Sequence, residues 1–306
     1  MFSPANLVRY RLALTAVTLA ALGWYLYSRP RLDLASLDLH WGKLAFAGLC
    51  VPVLLFLRAA KWRIILKGPA PDITLMQSLR SYLGASALAL VTPGRVGEFS
   101  RGLYLTQPAV QGWRGAGLVV LDNWLDTLAV LAWACPGWLA CLGWGGLALG
   151  PALFLALAPI PLWLRLVSKV ASRLPRRWGL RDWAGNCLAV ARGVPAGNLI
   201  GGGVLSLAAY GLEWLQFWFL LGFLVPVAMD PFRMAGLMAL VSLANSFQVT
   251  LAGLGIREGM AMLLLGTQGV ESEPAVMAAF FQTVLVLILP AVLGLGIKPV
   301  PWHRRS

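Results

Sequence analysis

The long apolar stretches of this chain constrain its fold more than any other feature. Six of them reach the length of about 20 residues that an α-helix needs to cross the hydrocarbon core of a bilayer. They cover residues 10–28, 43–64, 115–134, 138–163, 199–225 and 274–297. Only 12% of the 306 residues are charged and 59% are hydrophobic, which leaves too few polar side chains to cover a water-soluble domain. The sequence therefore predicts an all-α, polytopic membrane protein with a single transmembrane domain over 1–306.

The basic residues indicate how such a protein lies in the membrane. Lys and Arg number 25 against 12 Asp and Glu, a formal net charge of +13, and they cluster between the apolar stretches. This distribution follows the positive-inside rule and argues against nucleic acid as a partner. One cluster lies in the connection 165–195, one closes the chain, and one ends the second stretch with Arg58, Lys61, Arg63 and Lys67. All three face the same side if both termini are cytoplasmic.

Two regions, 82–105 and 232–266, do not fit as simple spans. The apolar run that starts at Tyr82 lasts ten residues, roughly 15 Å as a helix, or half a bilayer. The predicted turns are Pro93, Gly94 and Gly97 in the first region and Gly253 and Gly255 in the second. The pattern Val-Thr-x-x-x-Val-Gly at 91–97 recurs as Val-Thr-x-x-x-Leu-Gly at 249–255. Because the two regions enter from opposite sides in the predicted orientation, we expect two re-entrant, broken-helix hairpins related as an inverted repeat.

Charged residues adjoin both predicted turns. They are Arg95, Glu98, Arg101, Arg257 and Glu258. An ionised side chain facing lipid at mid-bilayer costs at least about 2.5–3.5 kcal/mol, so these residues are expected to face protein or a cavity. They either pair with one another and hold the hairpins together, or bind an anion together with the free N–H groups of the half-helices. A third interpretation places Arg95 and Arg101 at the membrane interface.

Further polar residues lie inside the apolar stretches. Asp122 and Asp126 are four residues apart and share one helix face, with Asn123 beside them. Acids in this setting face inward and require a cation, an arginine or a proton; in an alternative interpretation, Asp122 lies near the membrane surface and is only a boundary residue. Glu213, Asn245 and Gln248 are secondary candidates, for which interhelical hydrogen bonding is an equally good interpretation.

The sequence favours no catalytic chemistry. The two histidines and four cysteines form no CxxC pair, metal-ligand spacing or Ser-His-Asp arrangement. Gly253-x-Gly255 does not extend to a dinucleotide-binding motif, and no strand is predicted before it. We therefore expect neither an enzyme nor a bound cofactor or metal.

Three motifs together resemble one family. Pro93-Gly94-Arg95-Val96-Gly97-Glu98, Asp122-Asn123-Trp124-Leu125-Asp126 and Gly253-Leu254-Gly255-Ile256-Arg257-Glu258 resemble motifs of the lysylphosphatidylglycerol synthase transmembrane (flippase-like) family, in order and spacing over roughly 10–297. The resemblance implies a lipid-translocating module of the bacterial plasma (inner) membrane. The best-known members move aminoacylated phosphatidylglycerol to the outer leaflet and carry a soluble aminoacyl-transferase domain. This chain ends at Ser306, so we expect a free-standing member without synthase activity.

The chain also departs from that family's pattern. The middle motif of the family usually reads Glu-Arg-x-x-Asp, whereas here it is Asp122-Asn123-x-x-Asp126, which is expected to leave the acid pair less neutralised. The first motif has Arg95 where a glycine is common.

Two hypotheses of function follow from the residues and the resemblance. In the first, the protein moves an anionic or aminoacylated (glyco)phospholipid or a polyprenyl-type lipid across the membrane. Arg95, Arg101 and Arg257 then bind the phosphate, while Glu98, Asp122, Asp126 and Glu258 balance charge or accept an amine. In the alternative, the chain is a non-transporting membrane subunit of a lipid-modifying or glycosyl transferase, and its arginines have a structural role.

Overall fold

A computed structural model describes residues 20, 24, 40–142, 169, 189–190, 193–226, 229–245, 250 and 253–300. The predicted span 10–28 lies outside these residues apart from two positions. The same holds for 143–163, for most of the basic connection 165–195, and for Gln248.

In the described part of the chain every regular element is helical. The helices are Trp41–Leu66 (α1), Leu75–Val91 (α2), Gly112–Leu142 (α3), Ala196–Leu224 (α4), Pro231–Asn245 (α5), Ile256–Gly266 (α6) and Ser272–Gly294 (α7), with 3₁₀ segments at Pro93–Tyr104 and Pro108–Val110. Among the described helices, α1, α3, α4 and α7 are long and apolar enough to cross a membrane. The prediction of an all-α, polytopic membrane protein is confirmed.

The structure differs from the sequence prediction in the middle of α3. The sequence predicts that one span ends at 134 and the next begins at 138, whereas α3 continues from Gly112 through Leu142. A methyl group added at Gly137 would lie 2.3 Å from the backbone of Gly236 on α5. Gly137, which lies between the two predicted spans, is therefore a point of close backbone contact between α3 and α5.

The first hairpin (Leu75–Tyr104) consists of α2 and the 3₁₀ segment that returns along it. A capping box starts α2, since Gln77 N donates to Thr74 Oγ1 at 3.2 Å and Thr74 N donates to Gln77 Oε1 at 2.9 Å. The helix therefore begins before the apolar run that starts at Tyr82. On the return, a side chain at Gly97 would lie 2.3 Å from the backbone of Leu88 and Ala89, so the two arms touch backbone to backbone.

The second hairpin (Pro231–Gly266) consists of α5 and α6, which pack against each other. Gly253 and Gly255 have φ angles of 73° and 86°, a left-handed conformation that glycine adopts without strain. Glu258 accepts a hydrogen bond from Gly255 N at 2.6 Å and thereby caps α6. Both regions thus fold as helical hairpins, while their depth in the membrane and their inverted relation stay predictions.

The long helices bring the two hairpins to one interior space. Helix α1 packs along α4, α3 along α5, and α7 against α2. One apolar core, around Trp214 and Phe217, joins α3, α4, α5 and α7. A second, around Trp62 and Leu121, joins α1 to α3. Charged side chains lie between these cores.

Contacts between loops define the two ends of the molecule. At one end, Gly68 lies against Gly193 and Pro195, and Val300 N donates to Leu103 O at 2.9 Å. At the other, His40 N donates to Phe223 O at 3.4 Å. Each of these contacts joins two segments that the predicted topology assigns to the same membrane face, and the orientation itself stays a prediction.

Candidate functional site

A cavity of about 310 Å³ lies between the hairpins and the long helices. Among the described residues, nine charged side chains line it. The cations are Arg58 and Lys61 from α1, Arg95 and Arg101 from the first hairpin, and Arg257 from α6; the carboxylates are Glu98 from the first hairpin, Asp122 and Asp126 from α3, and Glu213 from α4. Of the seven residues predicted to bind the substrate, the cavity lining includes all except Glu258; of the secondary candidates it includes Glu213 but not Asn245.

Arg101 is the centre of the contacts on the first hairpin. Its Nη1 donates to Asp122 Oδ2 at 2.5 Å, and its Nη2 lies 3.5 Å from Glu98 Oε2. The guanidinium lies 5.2 Å from the ring centres of Trp62 and Tyr82, so cation–π contacts hold it in place. The backbone adds a further restraint, since Ser81 Oγ donates to Arg101 O at 2.8 Å.

Glu98 is held by two arginines of its own hairpin. Arg95 forms an ion pair with Glu98 Oε1, Arg101 approaches Oε2, and Asn123 Nδ2 donates to Oε2 at 3.1 Å. The side chain of Arg95 is 38% exposed, whereas that of Glu98 is buried at 5%. Arg95 is therefore the more accessible member of the pair and presents its guanidinium to the cavity.

Lys61 connects the two aspartates of α3. Its Nζ lies 2.9 Å from Asp122 Oδ1 and 2.6 Å from Asp126 Oδ1, and only 4% of its side chain is exposed. Ser206 Oγ on α4 also donates to Asp126 Oδ1, at 2.8 Å. A lysine from another helix thus provides the positive charge for the pair.

Glu213 joins α1 to the second hairpin. Arg58 Nη2 donates to Glu213 Oε2 at 2.5 Å, and Arg257 Nη2 donates to Oε1 at 3.3 Å. Arg58 Nη1 also donates to the hydroxyl of Tyr82 at 2.8 Å, and Arg257 Nη2 to Gln282 Oε1 at 2.6 Å. One carboxylate is therefore shared between two arginines.

Glu258 and the predicted turn residues are not among the residues that line the cavity. Glu258 is buried beside the cavity lining, where it caps α6 and accepts a hydrogen bond from Thr283 Oγ1 at 3.2 Å. Pro93, Gly94 and Gly97 begin the return arm of the first hairpin, and Gly253 and Gly255 precede α6. Asn245 is the last residue of α5.

A match to a family model shows which protein family the chain belongs to. The model described as "Lysylphosphatidylglycerol synthase TM region" matches residues 9–294. The chain belongs to this family. Comparisons with curated proteins and with solved structures gave no match. Membership in this family supports the conclusion that the chain is a multi-pass membrane protein related to lipid handling. The matched region is the non-catalytic part of lysylphosphatidylglycerol synthase-like proteins.

The two departures from the pattern of the lysylphosphatidylglycerol synthase family acquire a structural explanation. The acid pair, which lacks the arginine of the family's motif, contacts a cation of another helix instead, because Lys61 on α1 lies between Asp122 and Asp126. Arg95 has φ of 57° and is the one non-glycine residue with positive φ among those described. This conformation costs an L-residue about 1–2 kcal/mol, which explains why glycine suits the position.

Sequence reasoning assigned two of the site residues elsewhere. Arg58 and Lys61 were predicted to follow the positive-inside rule at the end of the second span, but both point into the cavity. Arg63, by contrast, donates to the backbone oxygen of Ile73 at 2.9 Å, and Lys67 is exposed. Two features of the sequence could have identified them. The acids at 122, 126 and 213 lie in apolar stretches and need cationic partners, and Arg58 and Lys61 are three residues apart on one helix face.

The arrangement is suited to binding an anion. Guanidinium groups make bidentate hydrogen bonds to phosphate, and the carboxylates hold them at fixed positions. The described residues contain no group of three or more His, Cys, Asp or Glu side chains placed to hold a metal ion.

Proposed function

We propose that this protein binds the headgroup of an anionic lipid in the charged cavity and moves the lipid across the plasma membrane. The observation that carries the proposal is the cavity itself. Five cationic side chains from α1 and both hairpins converge on one interior space in a multi-pass membrane protein of a lipid-related family.

The size of the cavity suits a headgroup but not a whole lipid. Ligand pockets measure roughly 300–1,000 Å³, and this cavity, at about 310 Å³, is at the lower limit. A phosphate with a small polar substituent fills such a space. The acyl chains would have to remain outside it, in contact with apolar surface.

A narrow seam offers a path for those chains. It has a volume of about 20 Å³ and runs between α2 and α7, with Ser86, Ala89 and Leu90 on one side and Val286 and Leu287 on the other. Tyr82 and Arg95 border both the seam and the cavity. Residues Val284–Ile288 form a π-helical turn, a feature that occurs frequently at functional sites.

The geometry of α2 and α7 is consistent with a gap that can widen at one end. A methyl group added at Gly294 would lie 1.9 Å from Leu83 O, so the helices are in backbone contact there. The seam lies farther along both helices, at Ala89 and Val286. Separation at the seam would leave the glycine contact intact.

No nucleotide-binding motif occurs in the sequence. The proposed movement is therefore either downhill or coupled to an ion gradient.

Reconstitution tests the proposal. Purified protein is placed in proteoliposomes with headgroup-labelled phosphatidylglycerol, and arrival in the outer leaflet is followed by quenching. We expect movement above that of empty liposomes, reduced about tenfold or more in Arg257→Ala and Glu98→Gln, since each change removes a charge-assisted hydrogen bond of about 1.5–3 kcal/mol.

The sharpest variant is Arg95→Gly. It removes the most accessible guanidinium and introduces the residue that best tolerates positive φ, so the fold is preserved while movement falls. Arg80→Gln is the matched control, because Arg80 is exposed on the same hairpin and outside the cavity lining. Equal rates for the wild type and Arg95→Gly would contradict a role of the cavity in movement.

The pairing of the charges favours a second candidate. Each cation of the cavity already contacts a carboxylate of the protein, as a purely structural role would require. In that case the chain is a membrane subunit of a lipid-modifying or glycosyl transferase, and the purified protein moves no lipid. Unchanged stability of Arg95→Gly together with absent movement for every lipid favours this alternative.

A further inference from the structure

We infer that three neutral side chains of α3 and α4 bind hydroxyl groups of the ligand, so that the headgroup is a phosphodiester with a small polyol substituent such as glycerol. The inference rests on the proposed function and names the part of the headgroup that the arginines do not bind. The three residues, called here the hydroxyl wall, are Asn123 and Thr127 on α3 and Tyr210 on α4, and all of them line the cavity.

Tyr210 has a polar group that the protein itself leaves unused. Its ring packs beside that of Trp214, with the ring centres 5.5 Å apart. Among the described residues, however, no hydrogen bond joins its hydroxyl to another side chain or to the backbone. The hydroxyl of a tyrosine in the interior of a protein ordinarily has a hydrogen-bond partner. A ligand in the cavity is placed to provide one.

Two contacts between α3 and α4 fix the position of this tyrosine. Ser206 Oγ donates to Asp126 Oδ1 at 2.8 Å, and a methyl group added at Gly211 would lie 2.7 Å from the ring of Trp133. Tyr210 lies about one helical turn after Ser206 and directly before Gly211. Two packed helices therefore present its hydroxyl to the cavity, which makes the direction of the group well defined.

Asn123 and Thr127 contribute hydrogen-bond acceptors to the same wall. They are four residues apart and therefore share one face of α3. Asn123 Nδ2 donates to Glu98 Oε2 at 3.1 Å, which leaves Asn123 Oδ1 as an acceptor. Thr127 Oγ1 donates to Asn123 O at 2.9 Å and the residue is exposed, so its lone pairs are available. A ligand hydroxyl can donate to these oxygens and accept from Tyr210.

The hydroxyl wall lies across the cavity from the most accessible arginine. Arg95, with 38% of its side chain exposed, is close enough to Tyr210 for the two to interact electrostatically. Arg95 also borders the seam between α2 and α7. A phosphodiester bound at Arg95 would therefore direct its acyl-bearing ester into the seam and its other ester toward Tyr210 and Thr127.

The inference concerns the hydroxyl groups of the substituent and not its charge. A glycerol that carries an aminoacyl ester at one hydroxyl still presents the other, so aminoacylated phosphatidylglycerol is compatible with this site. A plain alkyl substituent has no hydroxyl and would leave all three side chains of the wall without a ligand hydrogen bond. The comparison between a polyol and an alkyl substituent is therefore the most direct test.

Competition binding to the full-length protein in detergent provides this test. Short-chain phosphatidylglycerol and short-chain phosphatidylpropanol each displace a fluorescent phosphatidylglycerol. The two lipids have the same charge and nearly the same size, and only the first has hydroxyls on its substituent. We expect phosphatidylglycerol to bind about tenfold more tightly, since two or three hydrogen bonds between neutral groups are lost in the other lipid. Equal affinities, or specific binding of neither lipid, would overturn the inference.

Deletion of single hydroxyls shows whether this wall makes the selection. Tyr210→Phe and Thr127→Val each remove one hydroxyl with little change of shape, and we expect each to lower the preference about threefold and the double variant to abolish it. The ratio of two affinities does not depend on the fraction of folded protein. Tyr104→Phe is the matched control and should keep the tenfold ratio, because Tyr104 lies outside the cavity lining. The same ratio in all variants would contradict the assignment to α3 and α4.

A soluble arm identifies the source of the polyol. Glycerophosphoglycerol has the same headgroup without acyl chains, and we expect it to bind at least about tenfold more weakly than the lipid. Equal affinity would overturn the assignment to a lipid. Selective binding without any movement in proteoliposomes would refute the proposed transport but keep the inference. Movement of phosphatidylglycerol and phosphatidylpropanol at equal rates and with equal affinities would do the reverse.

Discussion

At the scale of single residues, Lys61 has the largest structural consequence. It is buried between two carboxylates of α3 and lies on a different helix. A buried ion pair contributes little net stability relative to apolar side chains, but removal of one partner leaves an uncompensated charge that costs about 3–5 kcal/mol. The lysine is therefore better regarded as a requirement imposed by Asp122 and Asp126 than as an independent source of stability.

We predict that Lys61→Met destabilises the protein by about 3–5 kcal/mol and that Asp126→Asn in the same chain recovers at least half of the loss. Thermal unfolding in detergent, compared in a double-mutant cycle, measures this coupling. Additive losses in the double variant would show that Lys61 and Asp126 do not interact.

Arg95 supports a second prediction at this scale. Its φ of 57° favours glycine over alanine, the reverse of the preference in ordinary helical positions. Arg95→Gly should therefore be more stable than Arg95→Ala by about 1 kcal/mol. Unfolding of the two variants in the same detergent checks the sign, and a more stable alanine variant would indicate that the backbone is not left-handed there.

Individual residues also show what the sequence can and cannot predict. The spacing of Asp122 and Asp126 placed them on one face, and the cost of burying them predicted cationic partners. It did not identify Lys61, because the direction of a side chain on an apolar helix depends on how α1 packs against α4. Likewise, the apolar stretches were divided between 134 and 138, where α3 in fact continues and Gly137 contacts the backbone of Gly236, because hydropathy alone does not show where one helix packs against another.

At the scale of elements, the packing of α2 against α7 shapes the narrow seam beside the cavity. The helices are in backbone contact at Leu83 and Gly294 and have a seam between them at Ser86, Ala89 and Val286. If acyl chains pass through this seam, its width limits the rate of lipid movement.

We predict that bulky thiol adducts at Ser86→Cys slow lipid movement progressively with adduct size, because they narrow the seam on already folded protein. Proteoliposome rates before and after modification measure the effect. Met76→Cys is the control, since Met76 is exposed on the same helix and outside the seam. The wild type, with its four cysteines, receives the same reagents. Equal slowing at both positions, or none at Ser86→Cys, would place the acyl path elsewhere.

At the scale of the whole molecule, α1 links the parts that surround the cavity. Lys61 connects it to α3 and, through Asp122, to Arg101 of the first hairpin. Arg58 connects it to α4 and, through Glu213, to Arg257 of the second. Ion pairs of this one helix therefore reach both hairpins.

The contacts at the two ends of the molecule give a prediction about orientation. Asp72 lies between α1 and α2, at the end where Gly68 contacts Pro195, and Thr267 lies between α6 and α7. Asp72→Cys should react with a membrane-impermeant thiol reagent only from the cytoplasmic side, and Thr267→Cys only from the outside. Reaction of both from one side would contradict the predicted topology and, with it, the opposite entry of the hairpins.

The close contact of Gly97 with the backbone of Leu88 and Ala89 restricts how this molecule can change shape. With no room for a methyl group between them, α2 and its return arm cannot slide along each other, and Arg95, Glu98 and Arg101 keep their spacing to Tyr82. A rearrangement that exposes the cavity to the other side of the membrane would then be a rigid-body displacement. Spin labels on the two arms of the first hairpin would report a constant separation, and labels between that hairpin and α1 would report the motion.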